Sequence, residues 1–172
     1  MNTRGPQVIR ATPADAQRVH ELTQRAWRGT VAPNSSAYRE TPDTARQAIE
    51  AGGGFMLLFD GLPIGSVRYF PVPHDTPSWE FKRLGVLHAF RGRGYGELLV
   101  RAIERAAPAQ GVRRIQLGVR ADQPRLVAFY ERLGYTLDAA VRLSAQNPLT
   151  DPPVTLSRGL QDPLAAVAPG ND

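Results

Sequence analysis

The stretch FRGRGYGELL, residues 90–99, sets two arginines and three glycines within six consecutive positions, Arg91 to Gly96, and then begins an amphipathic run. Glycine has the most backbone freedom to lose on folding, so three of them in one ordered turn carry a cost. That cost implies a need for the backbone itself. Residues 79–87 read as a strand and a helix starts near Tyr95, so the turn joins strand to helix. A helix N-terminus leaves about four amide hydrogens without intrahelical partners, and with the helix dipole these form a site for phosphate oxygens. Glycine lets a phosphate approach without a β-carbon in the way. Arg91 and Arg93 add charge and forked donors. The turn therefore reads as a holder for a phosphate group, and for a pyrophosphate in particular; a flexible glycine turn with solvated arginines is the competing reading. A Walker loop is excluded because Glu97 and Leu98, not Lys and Ser/Thr, follow the last glycine. The fingerprint G-x-G-x-x-G fails as well, since counting from Gly92 its last position is Glu97.

Working outward, residues 7–11 read as a strand. Thr12-Pro13-Ala14-Asp15 is a helix start, and Val19, Leu22 and Ala26 mark one face of a helix ending near Trp27. Thr41-Pro42-Asp43 repeats the signal, and Gly52-Gly53-Gly54 is expected to stop that second helix. Residues 55–59 and 63–70 form a hairpin through Asp60-Gly61, and 71–77 are expected to be loop. After the glycine turn, 97–107 is helical, with Leu98, Leu99, Ala102, Ile103 and Ala106 on one face. Ile115, Leu117 and Val119 alternate, so 113–119 is a strand. A helix over 124–133 ends at Gly134. Strands at 135–143 and 154–158 flank a proline-rich loop, and 161–172 is expected to be a mobile tail beyond one domain at 1–160. The order β-α-α-β-β-β-α-β-α-β-β implies an α/β (α+β) fold. It is a mixed, mostly antiparallel sheet of six to seven strands flanked by about four helices.

The chain has 172 residues, no cysteine and a formal net charge of +5. Its length suffices for a core without staples. The lack of cysteine excludes disulfides, thiolate chemistry and cysteine-ligated zinc. No apolar run approaches a membrane span and residues 1–10 lack a signal-peptide core, so a cytoplasmic protein is expected. The basic balance favours anionic partners, either a phosphorylated small molecule or nucleic acid. Nucleic acid is disfavoured, because there is no zinc-finger or RNP pattern and no evident arginine stripe.

The segment R-x-x-G-x-G from Arg91 to Gly96, with the strand before it (KRLGVLHAFRGRGYGELL), resembles the coenzyme A loop of the GNAT N-acetyltransferase superfamily. The resemblance extends through Arg10–Ala16, the hairpin Asp60-Gly61…Gly65-Ser66-Val67 and the run Phe129-Tyr130-Glu131-Arg132-Leu133-Gly134-Tyr135. It implies the acyl-CoA N-acyltransferase fold, acetyl-CoA as co-substrate, no metal, and transfer of the acetyl group to a primary amine by direct attack. A non-catalytic acyl-CoA binder on the same fold shares the loop and is the alternative. Carried onto this chain, the cofactor site comprises Leu84, Gly85 and Val86 on the strand, the turn residues Arg91, Gly92, Arg93, Gly94, Tyr95 and Gly96, then Gln123 and Tyr130. Gly85 is expected at a strand bulge. Gln123 stands where the family usually has asparagine, with the same amide on one more methylene. Tyr130 is the expected partner of the leaving thiolate.

A free alkyl amine has a pKa of roughly 10, so a base must help it react. Glu80 is the first candidate, acting through water. Regular alternation puts it on the same strand face as Leu84 and Val86, unless a bulge breaks the parity; a surface pairing with Lys82, Arg83 or Arg68 is its bland reading. His88 and His74 are weaker candidates. The acceptor pocket is expected from Trp27, the 29–40 loop with Tyr38, the 74–79 segment and residues 146–152. Trp27, Tyr38 and Trp79 are available either to stack on an amine or to fill the core. The resemblance leaves a homodimer open and does not name the amine.

Overall fold

The structure, a computed structural model, describes residues 5–73 and 76–161. Strands β1 (Gln7–Ala11), β2 (Gly53–Phe59), β3 (Leu62–Val72), β4 (Ser78–Val86), β5 (Arg114–Val119), β6 (Thr136–Leu137) and β7 (Val154–Gly159) form one sheet in the order β1-β2-β3-β4-β5-β7-β6. Only β4 and β5 run parallel, as the crossover through helix α3 (Tyr95–Ala106) requires. Helices α1 (Ala16–Trp27) and α2 (Pro42–Ala51) cover one face, and α3 and α4 (Pro124–Arg132) cover the other. The element order is the one the sequence implies.

Local chemistry sets the helix starts. The Asp15 carboxylate accepts from both Thr12 N and Thr12 Oγ1 at 2.9 Å, around a 3-10 turn at Pro13–Asp15. Thr41 and Thr44 exchange bonds at the start of α2, where Thr44 N donates to Thr41 Oγ1 and Thr41 N to Thr44 Oγ1. Alternation then sorts β2. Phe55 and Leu57 join the large core with α3, Val67, Phe81 and Ile115, whereas Met56 packs with Val19, Leu22 and Ile49 on the α1–α2 face.

Four local expectations need correction. The triple glycine is not merely a stop: Gly53 and Gly54 already belong to β2. A β-carbon on Gly52 would lie 2.0 Å from Tyr69 O, so the close approach of β3 demands glycine there. Strand β3 runs to Val72, with Pro71 opposite Trp79, rather than ending at Phe70. The expected strand 135–143 shrinks to Thr136–Leu137. Beyond it the Asp138 carboxylate binds Arg114, Ser157 and the Ala140 amide, which turns the chain out of the sheet into an irregular segment over 138–153. The expected tail, apart from Gln161, lies outside the described residues, as do His74 and Asp75.

The fourth correction concerns the bulge. Ser66 pairs with Gly85 and Arg68 with Lys82, so β4 carries an extra residue between them. Arg83 sits there with φ 61°, a left-handed conformation rare for an arginine. Gly85 is needed for another reason: its β-carbon would fall 2.9 Å from Ala26 Cβ and 3.0 Å from Trp27 Nε1. The bulge flips the parity of the strand. Phe81, Leu84 and Val86 all turn to the large core, while Glu80 shares the opposite face with Gly85.

Candidate active site

Strands β4 and β5 pair over three rungs only, Ser78 with Arg114, Trp79 with Ile115 and Glu80 with Gln116. Past Glu80 the strands part, β4 staying with β3 and β5 with β7. A cleft of about 1000 Å3 opens there. Leu84, Gly85, Val86, Arg91, Gly92, Gly94, Tyr95, Gly96, Gln123, Tyr130 and Glu80 all line it, so nearly every residue singled out from the sequence converges on one cavity.

The glycine turn opens into this cleft at the start of α3. Gly94 caps the helix at φ 77°, and Gly92 has φ 73°. A β-carbon at either would meet nothing within 4 Å, so the turn faces open space and glycine is required by backbone conformation alone. Arg91 N donates to His88 O and Leu98 N to Gly94 O; between them, the amides of residues 92–97 donate to no carbonyl of the described residues. These free donors lie where the sequence reading expects an anion to be held.

The arginines behave differently. Arg91 Nε donates to Val86 O at 3.0 Å and its Nη2 donates to Ala26 O, so the guanidinium ties β4 to the end of α1. Two of its donors are already used by the chain. Arg93 does not line the cleft, and its guanidinium lies over the Phe90 ring at 5.9 Å. The donors left free at this turn are mainly the amides, with Arg91 as a fixed charge beside them. Val86 O thereby accepts one bond, and Leu84 O accepts from Trp27 Nε1 at 3.1 Å, so each carbonyl has one lone pair already engaged by the chain. The Gln123 amide also has a partner: its Nε2 donates to Thr30 O at 3.0 Å and clips the start of α4 to the α1–α2 loop.

Glu80 is buried, not paired on the surface. Its Oε2 accepts from Gln116 Nε2 at 3.0 Å and from Ser144 N at 3.1 Å, and its Oε1 accepts from Ser144 Oγ at 3.0 Å. No cation of the described residues lies within 4.0 Å of it. Neither Gln116 nor Ser144 was legible as its support, because both bonds bridge residues far apart in the chain. Tyr130 lies across the cleft, edge-on to Phe129 and Tyr135 and tilted against Phe81. Burial pushes its phenol pKa well up, and its hydroxyl has no acceptor among the described residues. His88 is exposed and outside the cavity, with Nε2 3.4 Å from Arg28 O.

The aromatic acceptor wall is corrected too. Trp79 stacks on Tyr69 at 4.3 Å within the core. Tyr38 Oη donates towards Trp27 O and Val31 O at 3.4 Å and does not line the cleft. Trp27 does line it, but the Arg83 guanidinium covers its ring at 5.4 Å. No described helix is long and apolar enough to cross a membrane.

Residues 16–135 match the model of the acetyltransferase (GNAT) family. Two curated relatives are mycothiol acetyltransferases: one from Corynebacterium glutamicum (strain R), 37% identical over 82 residues, and one from Corynebacterium efficiens, 41% identical over 82 residues. Each match covers 48% of this chain but only 28% and 27% of those proteins, so the chain spans little more than a quarter of their length. Among solved structures, the PaiA N-acetyltransferase of Thermoplasma acidophilum, in complex with coenzyme A, superposes with a TM-score of 0.73 at 12% identity, covering 91% of this chain and 99% of that one. Arabidopsis thaliana Naa50, in complex with the bisubstrate analogue CoA-Ac-MVNAL, gives 0.70 at 16% identity, covering 90% and 99%. At such identities these two likenesses concern the fold.

Proposed function

The chain belongs to the GNAT acetyltransferase family, and from that premise we propose that it transfers an acetyl group from acetyl-CoA to a primary amine. The observation that carries the reading is the run of unpartnered amides at the start of α3, opening into a cleft whose walls also hold Glu80 and Tyr130. The amides of residues 92–97 bind the diphosphate, with Arg91 adding charge. The acyl arm runs along the edge of β4 left unpaired beyond Glu80.

Two faces of the sheet meet in the chemistry. Glu80 reaches the cleft from the α1 face and Tyr130 from α4. The amine nitrogen attacks the thioester carbonyl, a C–N bond forms and the C–S bond breaks. The ammonium proton leaves through water to Glu80, whose orientation Gln116 and Ser144 fix. The sulfur departs as a thiolate and Tyr130 donates a hydrogen bond to it. Full proton transfer is not its role. A phenol near 10 already loses to a thiol near 8.5 by about 2 kcal/mol, and burial raises the Tyr130 phenol further. Stabilisation of developing charge is the consistent function.

The test is release of the coenzyme A thiol across a panel of amines, run beside acetyl-CoA-induced thermal stabilisation. Stabilisation with amine-dependent thiol release is expected. Absence of both at millimolar acetyl-CoA overturns the reading.

A further inference from the structure

We propose that the acceptor amine carries an anionic group a few bonds from its nitrogen, and that Lys82 and Arg83 bind that group. The proposal rests on the acetyltransferase reading and specifies its acceptor.

The cleft wall next to Glu80 is cationic. Glu80 to Lys82 is regular strand, as its pairing with Phe70 to Arg68 requires, so both side chains leave the same face about 7 Å apart along β4. Lys82 lines the cleft with its ammonium 4.7 Å from the Phe70 ring centroid, and no carboxylate of the described residues lies within 4.0 Å of it. Arg83 follows on the bulge, where its left-handed backbone swings the guanidinium onto Trp27. Its Nη2 donates to Ser36 Oγ at 3.2 Å, and the negative charge beside it is a share in one carboxylate. Glu40 receives both forks of Arg68 at 2.8 and 3.0 Å, and Arg83 Nε stands 3.5 Å from Glu40 without a hydrogen bond. Arg39, also on the cleft wall, has no carboxylate partner among the described residues. The acids on the cleft wall are Glu80, which the amine needs, the exposed Asp151, and Glu97 at the start of α3, which pairs with Arg101.

This arrangement discriminates. A polyamine or aminoglycoside meets Lys82, Arg83 and Arg39 with like charge, and the aromatic face beside these cations, Trp27, is already covered by Arg83. An amine with a carboxylate or phosphate places its nitrogen at Glu80 and its oxygens at the Lys82 ammonium, which has no carboxylate of the described residues within 4.0 Å, and at the Arg83 guanidinium beside it. Non-glycine residues held in a left-handed conformation, as Arg83 is, cluster at active sites and ligand clamps.

The experiment measures kcat/KM for the common L-amino acids against their carboxamides, 2-aminoethyl phosphate against ethanolamine, and spermidine, with acetyl-CoA stabilisation read in parallel. Acid-bearing amines are expected to exceed their neutral counterparts by roughly tenfold or more. The carboxylate and phosphate arms identify which anion is meant. Lys82→Met, an exposed position, is expected to bring that ratio close to one while leaving acetyl-CoA stabilisation intact; Arg83→Met is the second variant. Preference for carboxamides or spermidine, or turnover of no acid-bearing amine, overturns the proposal. Loss of acetyl-CoA stabilisation in the parent protein instead overturns the acetyltransferase reading beneath it.

Discussion

Glu80 and Gln116 face each other at the last rung of the parallel β4–β5 ladder, and Gln116 Nε2 donates to Glu80 Oε2 at 3.0 Å. The carboxylate therefore stands at the point where the sheet opens, fixed by a neighbour on the departing strand. Glu80→Gln keeps the shape and removes the proposed base. A fall in kcat of roughly 10²- to 10⁴-fold is expected, with the KM for acetyl-CoA unchanged. Steady-state kinetics at saturating amine read this out, and an unaffected kcat assigns the proton elsewhere.

Tyr130→Phe removes one hydroxyl from a buried, ring-packed site. The expected loss is in kcat, by roughly 10- to 100-fold, for a donor that acts on developing charge. The pH profile supplies the sign. Burial raises the phenol pKa, so the hydroxyl stays protonated below its ordinary value of about 10. Rates of parent and variant are therefore expected to run parallel from pH 7 to 10. A parent-specific decline within that range contradicts the assignment.

The two turn arginines separate. Arg91 serves Val86 O and Ala26 O, and removing it leaves two carbonyls short of a donor. Arg91→Met is expected to cost about 1–3 kcal/mol in chemical denaturation. Arg93, outside the cleft and against Phe90, is expected to leave stability within about 0.5 kcal/mol when replaced by Met.

Gly85→Ala puts a methyl 2.9 Å from Ala26 Cβ and 3.0 Å from Trp27 Nε1. Overpacking of this kind costs about 1–3 kcal/mol, and the indole must also leave Leu84 O. Denaturant titration checks the stability. Enhanced quenching of tryptophan emission by a soluble quencher checks the displaced indole.

What the sequence made legible follows from where its signals are local. Thr12-Pro13, Thr41-Pro42 and Asp60-Gly61 act within a few residues, so they delivered two helix starts and a hairpin. The glycine turn was legible because glycine at 92 and 94 is demanded by the backbone's own φ. A bulge was expected at Gly85, but its extra residue at Arg83 was not legible, since an arginine at φ 61° leaves no compositional trace, and it set Glu80 on the opposite face from Leu84 and Val86. The burial of Trp79 under Tyr69 and the cover of Arg83 over Trp27 depend on contacts between distant segments, as does the Asp138 cluster that ends β6 after two residues. Residue type alone offered Trp27, Tyr38 and Trp79 as ligand surfaces.

The central claim, that unpartnered amides at the start of α3 grip a diphosphate, is tested most directly by calorimetric titration with acetyl-CoA and with acetyl-pantetheine, which has the same thioester and arm but no phosphate. Saturable one-to-one binding of acetyl-CoA in the micromolar range, and of acetyl-pantetheine at least roughly a hundredfold more weakly, is the expected result. Equal affinity for the two, or no binding of acetyl-CoA at millimolar concentration, contradicts it.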